Sequence, residues 1–443
     1  MSLKPVWRLL RHPISQNIVA LSWLQIATFL IPLVTLPYVA RVLHPSGFGL
    51  VVFAQGFSFV LLLIVSWGFT PFAVREVAAE RHHPDALGNL AAWVRSGQLV
   101  LSLTAALVAL AVVLVVPKLH DHPHFLALAW VAALGTGLTP TWYFLGVERL
   151  RLVSLIQLGF RVGAAALTFL LVKDAGDAWI VLGLYAASSM GMWIVSDILM
   201  YREVPFRLPS LGAAVDGLRR TAYLFAGLAG AMFYTSFNVV LLGLFVPSAQ
   251  VAHFGAAERV LRVSLQVLAP IAIAVYPRFA YLQASQQRDR ARHLFLVMVA
   301  AVASGGLVIA GLLALFAPLG IRIIFGSEFV DESVPILRIL VLLIPMNITA
   351  VLAAGWLLSV HMEKLVARVV LMAGILNVVL GSILTPLFGP KGMACSVVVA
   401  ELAGAAGAAV MLRRARRGAE TPPGSRSTPR AGVEARVPEP NAR

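Results

Sequence analysis

Apolar residues fill most of this chain in long blocks, broken by short polar clusters rather than alternating with them. A helix needs roughly 20 mostly apolar residues to cross the ~30 Å hydrocarbon core of a bilayer. That rule predicts twelve spans, near 17–43, 48–74, 88–116, 124–146, 151–172, 178–201, 219–246, 251–277, 292–318, 333–358, 365–387 and 391–412. Polar clusters at 44–47, 81–85, 116–124 and 173–177 separate several of them. Membrane strands are excluded because the apolar runs are too long and lack period-two alternation. The pattern therefore predicts an all-α, polytopic membrane protein of about 12 transmembrane helices.

The longest loop between spans, 202–218, divides the chain into a first six-helix lobe at 17–201 and a second at 219–412. Residues 1–16 form an N-terminal segment, and 413–443 read as a disordered basic tail rich in Pro, Arg, Ser and Gly. A faint internal echo fits this division. Pro45-Ser46 and Pro247-Ser248 both stand at the turn of a hairpin, after spans one and seven, as parallel repeats would place them.

Composition agrees. Of 443 residues, 59% are hydrophobic and only 12% charged, with a mean hydropathy of +0.87. Ordinary soluble cores cannot hide that much apolar surface, so a soluble enzyme and a disordered chain are excluded. The one cysteine, Cys395, admits no intrachain disulfide, and its flanks suggest a buried thiol in a membrane helix. Lys and Arg number 35 against 20 acids, a net charge of +15. With the N-terminus inside, 25 of the basic residues fall on cytoplasmic segments and 5 on external ones. This bias predicts that both termini are cytoplasmic. The arginines just after Leu412 suit anionic lipid head groups, or simple anchoring by the same bias.

Much familiar chemistry is missing. None of the five lysines follows a glycine, so no P-loop is present. No zinc-protease, paired-cysteine or nucleophile-elbow string occurs, and the external loops are short. The three histidines at 120–124 read as a solvated turn rather than a metal site. No cofactor, metal or nucleic acid is expected.

The informative charges are the buried ones, since each costs at least a few kcal/mol near the bilayer centre unless it faces a cavity or a partner. Arg161 and Arg262 lie about 15 Å deep in spans five and eight, at 1.5 Å per residue. Arg259 is one turn from Arg262, and Arg95 and Arg338 are also within spans. Arg41 and Arg75 sit at span ends, where snorkelling is the alternative to a cavity role. Acids are fewer: Asp197, Glu258 and Glu401. Glu258 and Arg262 are spaced for a helical ion pair. A cavity with more arginine than acid suits an anion, and arginine binds phosphate bidentately. The alternative is pairing with acids on other helices. Pro32, Pro37, Pro140, Pro270 and Pro345 predict interrupted helices, and Gly159/Gly163 and Gly404/Gly407 predict close helix contacts.

Residues 17–76 resemble the polysaccharide-unit (O-antigen type) flippases, which share a superfamily with multidrug exporters and the lipid II flippase. The resemblance lies in Leu24-Gln25-Ile26, Pro32-Leu33-x-Thr35-Leu36-Pro37-Tyr38, Ala40-Arg41-Val42-Leu43, Pro45-x-Gly47-Phe48-Gly49, Phe53-Ala54-Gln55 and Arg75-Glu76. Residues 238–263 and 275–280 extend it into the second lobe. Where the family often has Leu-Gly-Pro at the first turn, this chain has Leu43-His44-Pro45.

The resemblance implies two six-helix lobes around a central cavity in the bacterial inner membrane. It further implies alternating-access transfer of an undecaprenyl-pyrophosphate-linked oligosaccharide from the cytoplasmic to the periplasmic leaflet, for surface polysaccharide synthesis. Polymerase and chain-length machinery would be further partners. The expected cavity residues are Arg41, Arg75, Arg259 and Arg262, with Arg161 next, Glu258 orienting Arg262, and Asp197 or Glu401 serving a coupling ion. A multidrug or cation antiporter of the same architecture is one alternative. A membrane polymerase or acyltransferase is another.

Overall fold

The computed structural model describes residues 13–116, 120–235, 237–285, 287–359 and 362–420. Lys4, Arg8, Arg11, Lys118 and the tail beyond Glu420 lie outside the described residues. Within them the chain is helical and shows no strand. The first lobe holds α1 (Pro13–Ser66), α2 (Phe69–Glu80), α3 (Pro84–Val115), α4 (Pro123–Leu138), α5 (Thr141–Gly146), α6 (Leu150–Leu171) and α7 (Ala178–Tyr201). The second holds α8 (Leu211–Thr235), α9 (Asn238–Phe245), α10 (Ser248–Ala284), α11 (Arg288–Ile324), α12 (Val330–Leu340), α13 (Leu343–Ser359) and α14 (Glu363–Glu420).

These helices occupy the apolar stretches expected from the sequence. Eight stretches among the described residues are long and apolar enough to cross a membrane by length and composition. Two of the eight, 34–66 and 365–410, contain a fold-back. In α1 the backbone leaves helical geometry at His44, with φ 53° and ψ 173°. Residues on either side, among them Thr35 and Gln55, then line one cavity. In α14 the break is Gly389, at φ 58°, and Ser396 donates to Asn377 Oδ1 across it at 3.1 Å. Glycine suits that left-handed position because it has no Cβ to clash. His44 adopts a conformation that glycine favours, so the resembling family's glycine at this turn has a backbone reason.

Pro84 and Pro123 sit in the first turns of their helices, where no amide donor is needed. Pro140 stands between α4 and α5, while Pro32 and Pro37 remain inside α1. Helix α14 continues to Glu420, past the end expected at 412.

The buried apolar residues form three cores. The largest draws on both lobes: Leu43, Phe48 and Val51 from α1 pack with Val251 and Phe254 of α10 and with Ile321, Phe325 and Phe329. The second, around Phe69, Val94, Trp142 and Met200, belongs to the first lobe. The third, around Phe279, Phe295 and Leu352, belongs to the second. The lobes are thus welded at the end that carries residues 43–48 and 321–329 and have separate cores toward the other. At that other end the start of α8 rests on the first lobe. Trp93 Nε1 donates to Asp216 at 2.9 Å, Trp67 Nε1 donates to the Leu218 carbonyl at 3.3 Å, and Trp67 stacks on Phe225. The bonds from Trp93 and then Arg220 hold the Asp216 carboxyl below the usual carboxylate range.

At the welded end the two hairpin turns of the internal echo touch. A Cβ on Gly49 would lie 1.7 Å from the Ser248 carbonyl oxygen, so only glycine fits there. Gly56, Gly243 and Gly255 continue this seam against Val239, Phe53 and Val52. The small-residue contacts expected at Gly159 and Gly163 do not form, because nothing lies within 4 Å of a Cβ at either position. Cys395, expected to be buried, is exposed on the helix surface.

Candidate functional site: an arginine-lined cavity

A cavity of about 460 Å³ opens within the first lobe. Its wall comes from both limbs of α1 and from α4, α6 and α7, with one contribution from α10. Arg161 of α6 and Arg259 of α10 supply its charge; Gln55, Thr136, Thr168, Tyr185, Ser188 and Ser189 supply polar groups; Ile31, Leu36, Phe59 and Leu62 form an apolar side. No Asp or Glu lines it. Arg259 Nη2 donates to Gln55 Oε1 at 2.8 Å, and its guanidinium stands 5.0 Å from the Phe48 ring centre. Its Nη1 is buried without a hydrogen-bond partner.

One turn along α10 the arrangement reverses. Arg262 faces a smaller pocket of about 80 Å³ in the second lobe, with Glu258, Asn238, Asn347 and Glu401. Arg262 Nη2 donates to Glu258 Oε1 at 2.8 Å, the ion pair expected from their spacing. Glu401 is 4% exposed, and its Oε1 has no hydrogen-bond partner. It also borders a pocket of about 180 Å³ that is otherwise aliphatic apart from Asn347. Nearby, Asn377 Nδ2 donates to Asn238 Oδ1 at 2.6 Å.

The remaining expected site residues sit elsewhere. Arg41 donates to the Ile323 carbonyl at the end of α11, where a cation meets the negative end of the helix dipole. Arg75 is exposed, donating to Glu76 Oε1 at 3.3 Å with its head over Phe72. Both therefore hold surface positions at opposite ends of their spans, the snorkelling alternative, and neither lines the arginine cavity. Asp197 is bound by Arg95 and accepts from Trp193 Nε1 at 2.9 Å. A carboxylate already neutralised in this way has little left for a coupling ion. Arg95 also donates to Gln98 Oε1 at 2.9 Å, so this buried group is a structural knot. No group of three His, Cys, Asp or Glu side chains disposed for a metal occurs among the described residues.

Of the residues expected from the sequence, Arg161 and Arg259 line the first cavity and Arg262, Glu258 and Glu401 the second, a division the sequence does not show. Sequence reasoning also missed Gln55, Tyr185 and the serines of α7. Gln55 had a signal, as an amide inside an apolar run; hydroxyls in membrane helices satisfy themselves on their own backbone too readily to stand out.

Residues 14–283 match the family described as polysaccharide biosynthesis protein. The chain belongs to the polysaccharide biosynthesis protein family. Two relatives bear the name "Putative O-antigen transporter". The one from Shigella dysenteriae is 26% identical over 87% of this chain and 97% of its own length. The one from Escherichia coli (strain K12) is 23% identical over 87% and 93%. Among solved structures, the lipid II flippase MurJ in an inward closed conformation superposes with a TM-score of 0.67 at 13% identity, covering 88% of this chain and 87% of MurJ. An inward-facing multidrug resistance MATE family transporter gives 0.65 at 15% identity, covering 91% and 99%. This member of the polysaccharide biosynthesis family thus shares its fold with those two proteins, and its apolar helices make it a multi-pass membrane protein.

Proposed function

We propose that the protein is an inner-membrane flippase that carries an undecaprenyl-pyrophosphate-linked oligosaccharide from the cytoplasmic to the periplasmic leaflet. The observation that carries this reading is the cavity with two arginines and no acid. An anionic head group that leaves water loses its hydration, and buried guanidinium groups are the strongest replacement a protein can offer. The hydroxyl and amide groups beside them suit a sugar, and the apolar wall suits the first isoprene units. Family and relatives support the substrate class, and the positive-inside bias supports both termini being cytoplasmic.

In this orientation the largest core joins the lobes at the periplasmic end, and at the cytoplasmic end the start of α8 rests on the first lobe, so that contact must part to admit a cytoplasmic substrate. Glu401 is the group best placed to serve a coupling ion, since Asp197 is committed to Arg95. A drug or cation antiporter would want an acid in the larger cavity, and none lines it.

The test is a flipping assay in reconstituted vesicles with a fluorescent lipid-linked oligosaccharide, comparing wild type with Arg259→Ala and Arg259→Lys. Loss of flipping in the first and partial recovery in the second is expected. Full activity in both, with normal folding, would overturn the anion role.

A further inference from the structure

Arg259 belongs to the second lobe, yet its head group lies in the cavity of the first. Two residues on the second limb of α1 hold it there. Gln55 accepts from Nη2 at 2.8 Å, and the Phe48 ring lies 5.0 Å from the guanidinium carbon. A neutral amide and an aromatic face are modest partners for a buried guanidinium; a charged oxygen is stronger by a factor of about two. The buried Nη1, without a hydrogen-bond partner, shows capacity left for a further acceptor. Glu258, its neighbour in sequence, is hydrogen-bonded to Arg262 instead.

Phe48 has a second occupation. It is fully buried in the weld between the lobes. Its ring meets Phe329 edge-on at 5.7 Å and Phe325 at 6.1 Å. Four residues before it, His44 Nδ1 pairs with Glu328 Oε2 of the second lobe at 2.9 Å. One aromatic ring thus touches both the cavity arginine and the plug that closes this end.

We propose that Gln55 and Phe48 are positioning residues that hold Arg259 while the cavity is empty and release it to the anionic head group, so that occupancy itself loosens the weld. The proposal rests on the anion reading above and adds the route by which binding reaches the gate. A phosphate oxygen takes the place of the Gln55 amide. The guanidinium then turns its charge to the phosphate and away from the ring, and Phe48 loses the contact that tied it across the lobes. A ligand shifts a conformational equilibrium only by binding the two states unequally. Here the inequality is built in, because Arg259 must leave the contacts of the closed state to bind fully.

The experiment uses the full chain in lipid nanodiscs with Cys395→Ala, and spin labels on Gly176→Cys and Asp331→Cys, exposed positions in the two lobes at the welded end. The probe is undecaprenyl pyrophosphate without sugar. In this parent, the lipid should lengthen the distance between the labels. Gln55→Glu supplies a permanent counterion; it should weaken lipid binding roughly 10- to 100-fold and abolish the lengthening. Phe48→Leu should lengthen the lipid-free distance and, because coupling is reciprocal, tighten lipid binding. Gln55→Asn, which keeps the amide, should bind and respond more like the parent than Gln55→Glu does. If Arg259→Ala loses the lipid but Gln55→Glu and Phe48→Leu both respond as the parent does, the relay is wrong and the anion reading stands. If the parent and Arg259→Ala bind the lipid equally, the anion reading fails and takes the relay with it.

Discussion

Arg259 and Arg262 stand one turn apart on the same helix, yet they serve different rooms. Arg259 reaches into the larger cavity, where no acid lines the wall. Arg262 faces the smaller pocket, already answered by Glu258, with a second acid, Glu401, beside it. The first cavity offers positive charge to a ligand, whereas the second offers an acid whose Oε1 has no hydrogen-bond partner. The positive and the negative charge available to ligands are thus kept in separate cavities. The helix that separates the rooms also carries a charged residue into each, so movement of α10 is felt in both. Another arginine, Arg95, marks the contrast: it is buried, tied to Asp197 and Gln98, and faces neither room.

The largest expected effect tests that contrast. Asp197→Ala leaves Arg95 buried without its counterion, and breaking such a pair costs about 3–5 kcal/mol. Denaturation of the detergent-solubilised protein should show this loss. Arg259→Ala should lower stability far less and flipping far more. Removing a charge-assisted bond to the ligand is worth about 1.5–3 kcal/mol, which corresponds to roughly 10- to 100-fold in lipid affinity. If Arg262→Ala were as damaging to lipid binding as Arg259→Ala, the two-room division would collapse.

Gly49→Ala comes next. The added methyl would collide with the Ser248 carbonyl, and overpacking of this kind costs about 1–3 kcal/mol. Because the cost falls on the welded end, spin labels there should report more of the separated form. Glu401→Gln addresses the other room: lipid affinity should stay within a few-fold, while the response of flipping to an imposed proton or sodium gradient is lost. An unchanged gradient response would remove Glu401 from coupling.

The smallest effects should be electrostatic ties at the surface. The His44–Glu328 pair is about half exposed on each side, so Glu328→Gln should cost about 0–1 kcal/mol. At the opposite end the Asp216 carboxyl is held below the usual range by Trp93 and Arg220. Its contribution is therefore present above the ordinary carboxylate range and lost as pH falls through the lowered value. Trp93 fluorescence should change over that acidic window and be flat in Asp216→Asn.

The fold was largely legible because the bilayer imposes a length rule on each span, and apolar blocks report it directly. The fold-backs at His44 and Gly389 were marked as breaks by their prolines and glycines. The charges were less transparent. The resemblance groups Arg41 with the cavity residues, but its head caps the end of α11, at a carbonyl 282 positions away. Asp197 is a coupling-ion candidate on sequence alone, because its partner, Arg95, is 102 positions distant. Gly159 and Gly163 have the spacing of a packing motif, while three of the glycines that do bring the lobes together, Gly56, Gly243 and Gly255, belong to no local pattern.

By itself, then, the sequence determined the all-α, polytopic class and the Glu258–Arg262 pair, properties set within a turn or a span. Only the tertiary structure decided which arginine meets an acid, which meets a cavity, and where the halves are joined. Those outcomes depend on side chains from distant spans meeting within a few ångströms. No periodicity along one helix encodes the face that a helix from the other half will present to it.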